Sequence, residues 1–169
     1  MPKIVLQPAG GKIAQVHYQH TIENLVPISR IEHILGEEEI TTLTELYPEG
    51  KVAIWGATLG RSQKEWEKID PYDVVLFSGN KKFFATGIVP YKFHNPPLAE
   101  ILWGHDADGK TWEYVYFLKD ITKLDVPYEE VRKILGSNSH FRNLQVLTTD
   151  ASEKLFAALS IVPVTESDF

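Results

Sequence analysis

The sequence predicts an α+β domain: a small, mixed, largely antiparallel β-barrel of about six strands flanked by short helices. Three observations lead there. Its 169 residues, 43% hydrophobic and 24% charged, have the size and composition of one ordinary globular domain. Short runs rich in Val, Ile and Phe recur between Gly, Asn and Pro punctuation, as strands do. The runs are too short and too close together for βαβ crossovers, which argues for a mixed, largely antiparallel arrangement.

Ile4–Leu6 and Ile13–His17 read as short strands separated by the Gly10-Gly11 turn. Ser29 is placed to cap a short helix carrying Ile31, Ile34 and Leu35 and ending at Gly36. Glu37–Tyr47 reads as a second helix, with acidic residues in its first turn where the dipole favours them. Lys51–Ala57 is a strand ending in Trp55-Gly56. Ser62-Gln63-Lys64-Glu65 has the capping-box pattern, predicting a helix over Gln63–Ile69. Asp73–Ser78 and Lys82–Val89 form a hairpin across Gly79-Asn80-Lys81. Pro96-Pro97 opens a helix reaching Trp103. Asp108-Gly109 turns the chain into a strand over Trp112–Lys119. A helix over Tyr128–Leu135 stops at Gly136, Phe141–Leu147 is a strand, and Ser152–Leu159 is the last helix. Residues 1–160 are expected to form the domain and 161–169 a tail or truncated junction to further domains.

Composition narrows the function. No run approaches the roughly 18 apolar residues of a membrane helix, and the N-terminus lacks the apolar core of a signal peptide. Zero cysteines exclude a disulfide scaffold, a cysteine zinc site and a thiol nucleophile. A cytoplasmic, metal-independent domain is expected. The net charge of −6 argues against a generic polyanion binder. Charge is uneven, however: residues 51–100 carry seven basic and five acidic side chains, whereas residues 1–50 carry three and seven. That pattern suits a protein that grips a few phosphates and draws its remaining affinity from elsewhere.

Catalytic motifs fail on context. Gly104 to Thr111 matches G-x-x-x-x-G-K-[ST], but the predicted order is helix, loop, strand, and two aspartates inside the loop repel phosphate. His94, His105, Asp106 and Asp108 match no ligand spacing with a mechanism and read as polar loop. No nucleophile elbow, zincin or dinucleotide fingerprint occurs. The chain is therefore expected to be non-enzymatic and to need no cofactor.

The tryptophans remain. Trp66 and Trp112 occupy periodic positions and read as core. Trp55, at a strand end beside Gly56, serves equally as core or as a stacking surface with space opened above its ring. Trp103 lies where a helix gives way to a loop. An indole at such a strand end, facing a second ring, sandwiches a planar base.

Here the chain resembles a known class. Val52–Thr58 resembles the strand bearing the first cage tryptophan of YTH domains. Asp73–Gly87 resembles their central hairpin, Trp112–Asp120 with Val126-Pro127 their next strand and its exit, and Ser137–Asn143 their late loop. Arg61–Ile69 running into Asp73–Phe77 is closer to the prokaryotic EVE and YTH-like domains at the N-terminus of McrB-type modification-dependent restriction proteins. The resemblance implies a PUA-like fold and a non-catalytic reader of a modified base, foremost N6-methyladenine flipped from duplex DNA. Readers of 5-methylcytosine or 5-hydroxymethylcytosine, or a single-stranded RNA reader with the same cage, are the alternatives. It implies fused or associated ATP- or GTP-driven motor and nuclease subunits as partners, and no membrane.

Carried onto this sequence, the cage comprises Trp55, Gly56 and a second aromatic: Trp103, Phe93 or Tyr91. Ser78, Asn80 and Asn95 are candidates for polar contacts to the base edge. Arg142 matches the phosphate-gripping arginine by position, with Lys81 and Lys82 at the hairpin turn and Arg61 as further phosphate candidates.

Overall fold

The computed structural model describes residues 1–165. In chain order the elements are β1 (Ile4–Pro8), α1 (Lys12–Tyr18, continued by a π-turn over Gln19–Glu23), β2 (Val26–Pro27), α2 (Ile28–Ile31, then a 3-10 turn over Glu32–Ile34) and α3 (Glu37–Leu46). They continue with β3 (Lys51–Ala57), α4 (Arg61–Trp66), β4 (Val74–Gly79), β5 (Lys82–Ile88), β6 (Lys92–His94) and α5 (Pro96–Trp103). The last are β7 (Tyr114–Pro127), α6 (Tyr128–Leu135), β8 (Gln145–Val146) and α7 (Thr149–Ala158).

All strands join one sheet in the order β2-β3-β7-β5-β4-β1-β8, with β6 added on β7. The β1–β4 pair is parallel and every other pair antiparallel. There are eight strands among the described residues rather than about six, and strand pairing does not close the barrel. Instead α4 bridges toward the β8 end: Glu65 Oε1 accepts from the Val146 N–H at 3.0 Å, and Trp66 Nε1 donates to the Val115 carbonyl at 3.1 Å. These two side-chain bonds tie α4 to β8 and to β7.

Both faces of the sheet are buried, which explains why its strands read as continuous apolar runs. Val5, Ala53, Trp55, Phe77, Tyr116 and Leu118 fill the concave interior. On one outer face Ile4, Leu6 and Leu76 pack against α6 and α7 through Val131, Leu155 and Phe156. On the other, Val52, Ile54 and Phe117 meet Ile31 of α2, Leu43 of α3 and Leu98 of α5.

Several local expectations are corrected. Ile13–His17 is helix, not strand: α1 buries His17 and Tyr18 and leaves Ile13 and Val16 exposed, a helical division of sides. Ser29 lies inside α2, whose N-cap is Pro27, and Gly36 opens α3 instead of ending a helix, its N–H donated to Glu39 at 2.9 Å. The capping box does not form, because Gly60 caps α4 and Glu65 is drawn to Val146 and Lys68. β7 starts at Tyr114 and runs 14 residues, passing through a left-handed Asp120, so Trp112 precedes it. Phe141–Leu147 shrinks to the two-residue β8, and α7 begins earlier, capped by Thr148.

The β4–β5 hairpin turns at Asn80 and Lys81, both left-handed, as a type I′ turn requires. Between α5 and β7, Asp106 Oδ1 accepts from the Asp108 and Lys110 N–H groups at 2.9 Å. The loop resembling a phosphate-binding motif is therefore organised around its own carboxylate. The predicted tail lies partly outside the described residues. No helix among the described residues is long and apolar enough to cross a membrane.

Candidate functional site

A cavity of about 260 Å³ opens at one end of the concave interior. Ile13, Ala14 and His17 of α1 form one wall, and residues 55–58 at the end of β3 with Ser62 form another. Trp112 and Leu144 complete the sides, with Gln7 and Pro8 of β1 beneath. That volume lies just below the usual range of ligand sites, room for one planar ring system.

Trp55 is mainly core. It is 5% exposed and meets Tyr18 and Phe77 edge-on at 6.0 and 5.6 Å between ring centroids. Only its residual surface faces the cavity. Gly56 opens no slot above that ring: a Cβ there would lie 2.4 Å from the Trp112 carbonyl oxygen and 2.8 Å from Trp103 Cζ3. The glycine admits two tryptophans, and its effect is to seat Trp112 at the cavity wall.

Trp112 is half-buried and makes a T-shaped contact with His17 at 4.4 Å. Burial, with a smaller contribution from His20, holds the His17 imidazole below its ordinary pKa and so favours its neutral form. Trp103 stands behind this pair, 5.9 Å from His17, and does not line the cavity. Its indole N–H is buried without a partner. Phe93 and Tyr91 pack with Phe117 on the outer face of the sheet, at 5.3 and 6.0 Å. The second ring at the cavity is thus Trp112, placed by the sequence reading in the core. Its position between the Asp108-Gly109 turn and the strand was the available signal.

The polar candidates scatter. Ser78 is buried with its hydroxyl unpartnered and is not among the cavity-lining residues. Asn80 is exposed at the hairpin tip. Asn95 uses its side chain to cap α5, accepting from the Leu98 N–H and donating to the Ile34 carbonyl. Polar groups that do line the cavity are Gln7, His17, Thr58 and Ser62.

Of the cations, Arg142 and Lys81 share one groove with Arg132, His140 and the acidic Glu129. Arg132 shapes it, donating from Nε to the Ser139 carbonyl at 2.7 Å and lying over the Tyr128 and Phe141 rings. Gly10 and Gly79 are backed so closely that a Cβ on Gly10 would lie 2.5 Å from Gly79 Cα, which ties the Lys81 turn to the end of β1. Lys82 instead pairs with Asp125 at 3.6 Å, and Arg61 is exposed beside Ser62 on the cavity's other flank.

Charge is sorted by segment. Residues 1–22, 51–64, 74–99 and 131–149 contain none of the 23 acidic side chains but hold 11 of the 17 basic ones. Segments 1–22, 51–64 and 131–149 supply every cavity-lining residue except Trp112, and 74–99 supplies none. The neighbour of Trp112, Glu113, is bonded to His94 at 2.8 Å. Among the described residues no group of three or more acidic or histidine side chains is arranged to hold a metal.

No family model matches the chain, and no curated protein does. Among solved structures, a mutant ASCH protein from Zymomonas mobilis aligns over 94% of this chain and 99% of its own, with a TM-score of 0.51 and 8% identity. The N-terminal domain of Thermococcus gammatolerans McrB, solved bound to m5C DNA, aligns over 94% of this chain and 97% of its own, at 19% identity and a TM-score of 0.69. By fold, then, this chain is similar along nearly its whole described length to the McrB N-terminal domain.

Proposed function

We propose that this chain is a non-catalytic DNA-binding domain that takes one methylated base, everted from the duplex, into the cavity beside Trp112. The observation that carries this reading is a one-ring cavity walled by Trp112 and His17, with no acidic residue in its lining, in a chain of net charge −6. The fold it shares with a DNA-bound McrB domain supports the same reading.

The energetics are adequate. Extruding a base costs a few kcal/mol. Stacking on aromatic rings returns about 1–3 kcal/mol per base, and Trp112 offers an indole that is not wholly committed to the core. Discrimination comes from two sources: about 0.8 kcal/mol for burying a methyl group, and about 1–3 kcal/mol wherever an unmethylated amino group leaves a donor unpartnered. A reader needs no catalytic group for this. The resemblance to YTH domains favours N6-methyladenine, whereas the McrB domain of similar fold was solved with m5C DNA. A role as targeting module for motor and nuclease subunits belongs to the same proposal.

The test is titration of labelled duplexes carrying N6-methyladenine, 5-methylcytosine or no modification, with methylated RNA as competitor. One methylated duplex should bind tightest, and Trp112→Ala should weaken it roughly 5- to 150-fold, the loss of one stacking ring. Equal affinity for all duplexes sinks the reading, and preference for the RNA moves it to RNA. Trp112 serves better than Trp55, because Trp55→Ala would cost about 3–5 kcal/mol of core packing.

A further inference from the structure

We infer that Gln7 is the specificity-determining donor of the cavity, presenting one amide N–H to a ring-nitrogen acceptor on the edge of the inserted base. The inference rests on the base-reading function proposed above.

Side chains alternate along β1, so Val5 and Ala9 join the interior cluster and Gln7, between them, points the same way. An amide at 8% exposure among apolar side chains is unfavourable unless its hydrogen bonds are met. Two of them are. Gln7 Nε2 donates to the Pro8 carbonyl at 2.9 Å, and the Tyr116 hydroxyl donates to Gln7 Oε1 at 2.7 Å. These contacts fix the amide's orientation. A carbonyl oxygen only accepts, so the amide nitrogen must be the atom facing Pro8, and the oxygen must face Tyr116. Tyr116 is wholly buried opposite Trp55 in the sheet, and burial pushes its ionisation far upward, so its hydroxyl keeps the proton it donates.

An amide nitrogen carries two N–H groups, and Pro8 takes one. The other has no protein acceptor among the described residues, on a side chain that lines the cavity. A fixed donor selects by what opposes it. Cytosine N3 and adenine N1 are acceptors, whereas thymine N3 and guanine N1 carry hydrogen. The donor therefore admits a methylated cytosine or adenine. It rejects thymine, which bears the same methyl group as 5-methylcytosine and cannot be excluded by a pocket that senses the methyl alone.

The experiment uses the full chain and the methylated duplex that it binds tightest, beside the same duplex whose base has the Watson–Crick ring nitrogen replaced by C–H. Wild type should lose roughly 5- to 150-fold on the C–H analogue, and Gln7→Leu should lose as much on the natural base. Gln7→Leu should lose nothing further on the analogue, because both changes delete one hydrogen bond. Tyr116→Phe frees the amide to rotate and should erode rejection of thymine placed at the same position. Where Gln7→Leu folds poorly, the paired change Gln7→Leu with Tyr116→Phe leaves no buried hydroxyl stranded and should show the same non-additive loss. Additive losses, or full affinity in Gln7→Leu, overturn the inference while a wild-type preference for methylated duplex leaves the base-reading function standing. No such preference in wild type overturns both.

Discussion

Gly56 decides where the cavity's aromatic wall stands. Its absent side chain is filled by the Trp112 backbone and the Trp103 ring, and neither is the flexible end of a side chain. Gly56→Ala should therefore destabilise the fold by about 1–3 kcal/mol, as overpacking does, and weaken methylated-duplex binding together with it. Denaturant midpoints and the duplex titration check both, and an unchanged midpoint would show that Trp112 yields freely. His17 carries the pH dependence of the same wall. Its folded pKa lies below the ordinary 6.5, so as pH falls the unfolded chain takes up the proton first. Its stabilising contribution is complete above about 6.5 and is lost as pH drops toward and through the lowered folded value. His17→Asn should lose less stability than wild type between neutral and mildly acidic pH, measured by denaturation at each pH, and parallel curves would contradict this.

At the scale of elements, two turns and a loop bring the cations together. The type I′ turn at Asn80-Lys81 is held against Gly10, and the loop after α6 is pinned by Arg132, so Lys81 and Arg142 share one groove. Neither element holds the base cavity itself. Their contribution is predicted to be independent of modification: Lys81→Ala and Arg142→Ala should weaken plain and methylated duplexes alike. Each should reduce the slope of log affinity against log salt by about 0.9. A change confined to the methylated duplex would place these residues at the base instead. Strong local signals made some elements legible: Lys51–Ala57, the β4–β5 hairpin, Pro96–Trp103 and Tyr128–Leu135 need only a run of β-formers, an Asn in a tight turn, a proline start and a glycine stop. Weak ones misled. Ile13–His17 alternates like a strand over too few residues to separate a period of 2 from 3.6, and its helix is decided by what His17 and Tyr18 pack against.

Over the whole molecule, the sheet curls so that the end of β1, the end of β3 and the entry to β8 meet around one opening, with α4 bridging to β8 where strand pairing stops. The curl gathers these stretches so that no acidic residue lines the cavity. On the proposed function, an acidic domain without a large basic field binds unmodified duplex weakly. The candidate site was legible only in part for the same reason. Trp55, Gly56, Arg142 and Lys81 stand at strand ends or turns that local pattern reveals, whereas Gln7, His17 and Trp112 look like any other residues of a strand, a helix and a strand entry.

What local chemistry determined by itself was composition, the class of element at most positions and the mixed α+β character, because propensity, turn residues and hydrophobic period act over a few residues. Tertiary structure alone decided which ring faces the cavity, which glutamine lines it and whether the sheet closes. Those depend on contacts between residues as distant in sequence as Gln7 and Tyr116, or Gly56 and Trp112, whose approach no short window contains.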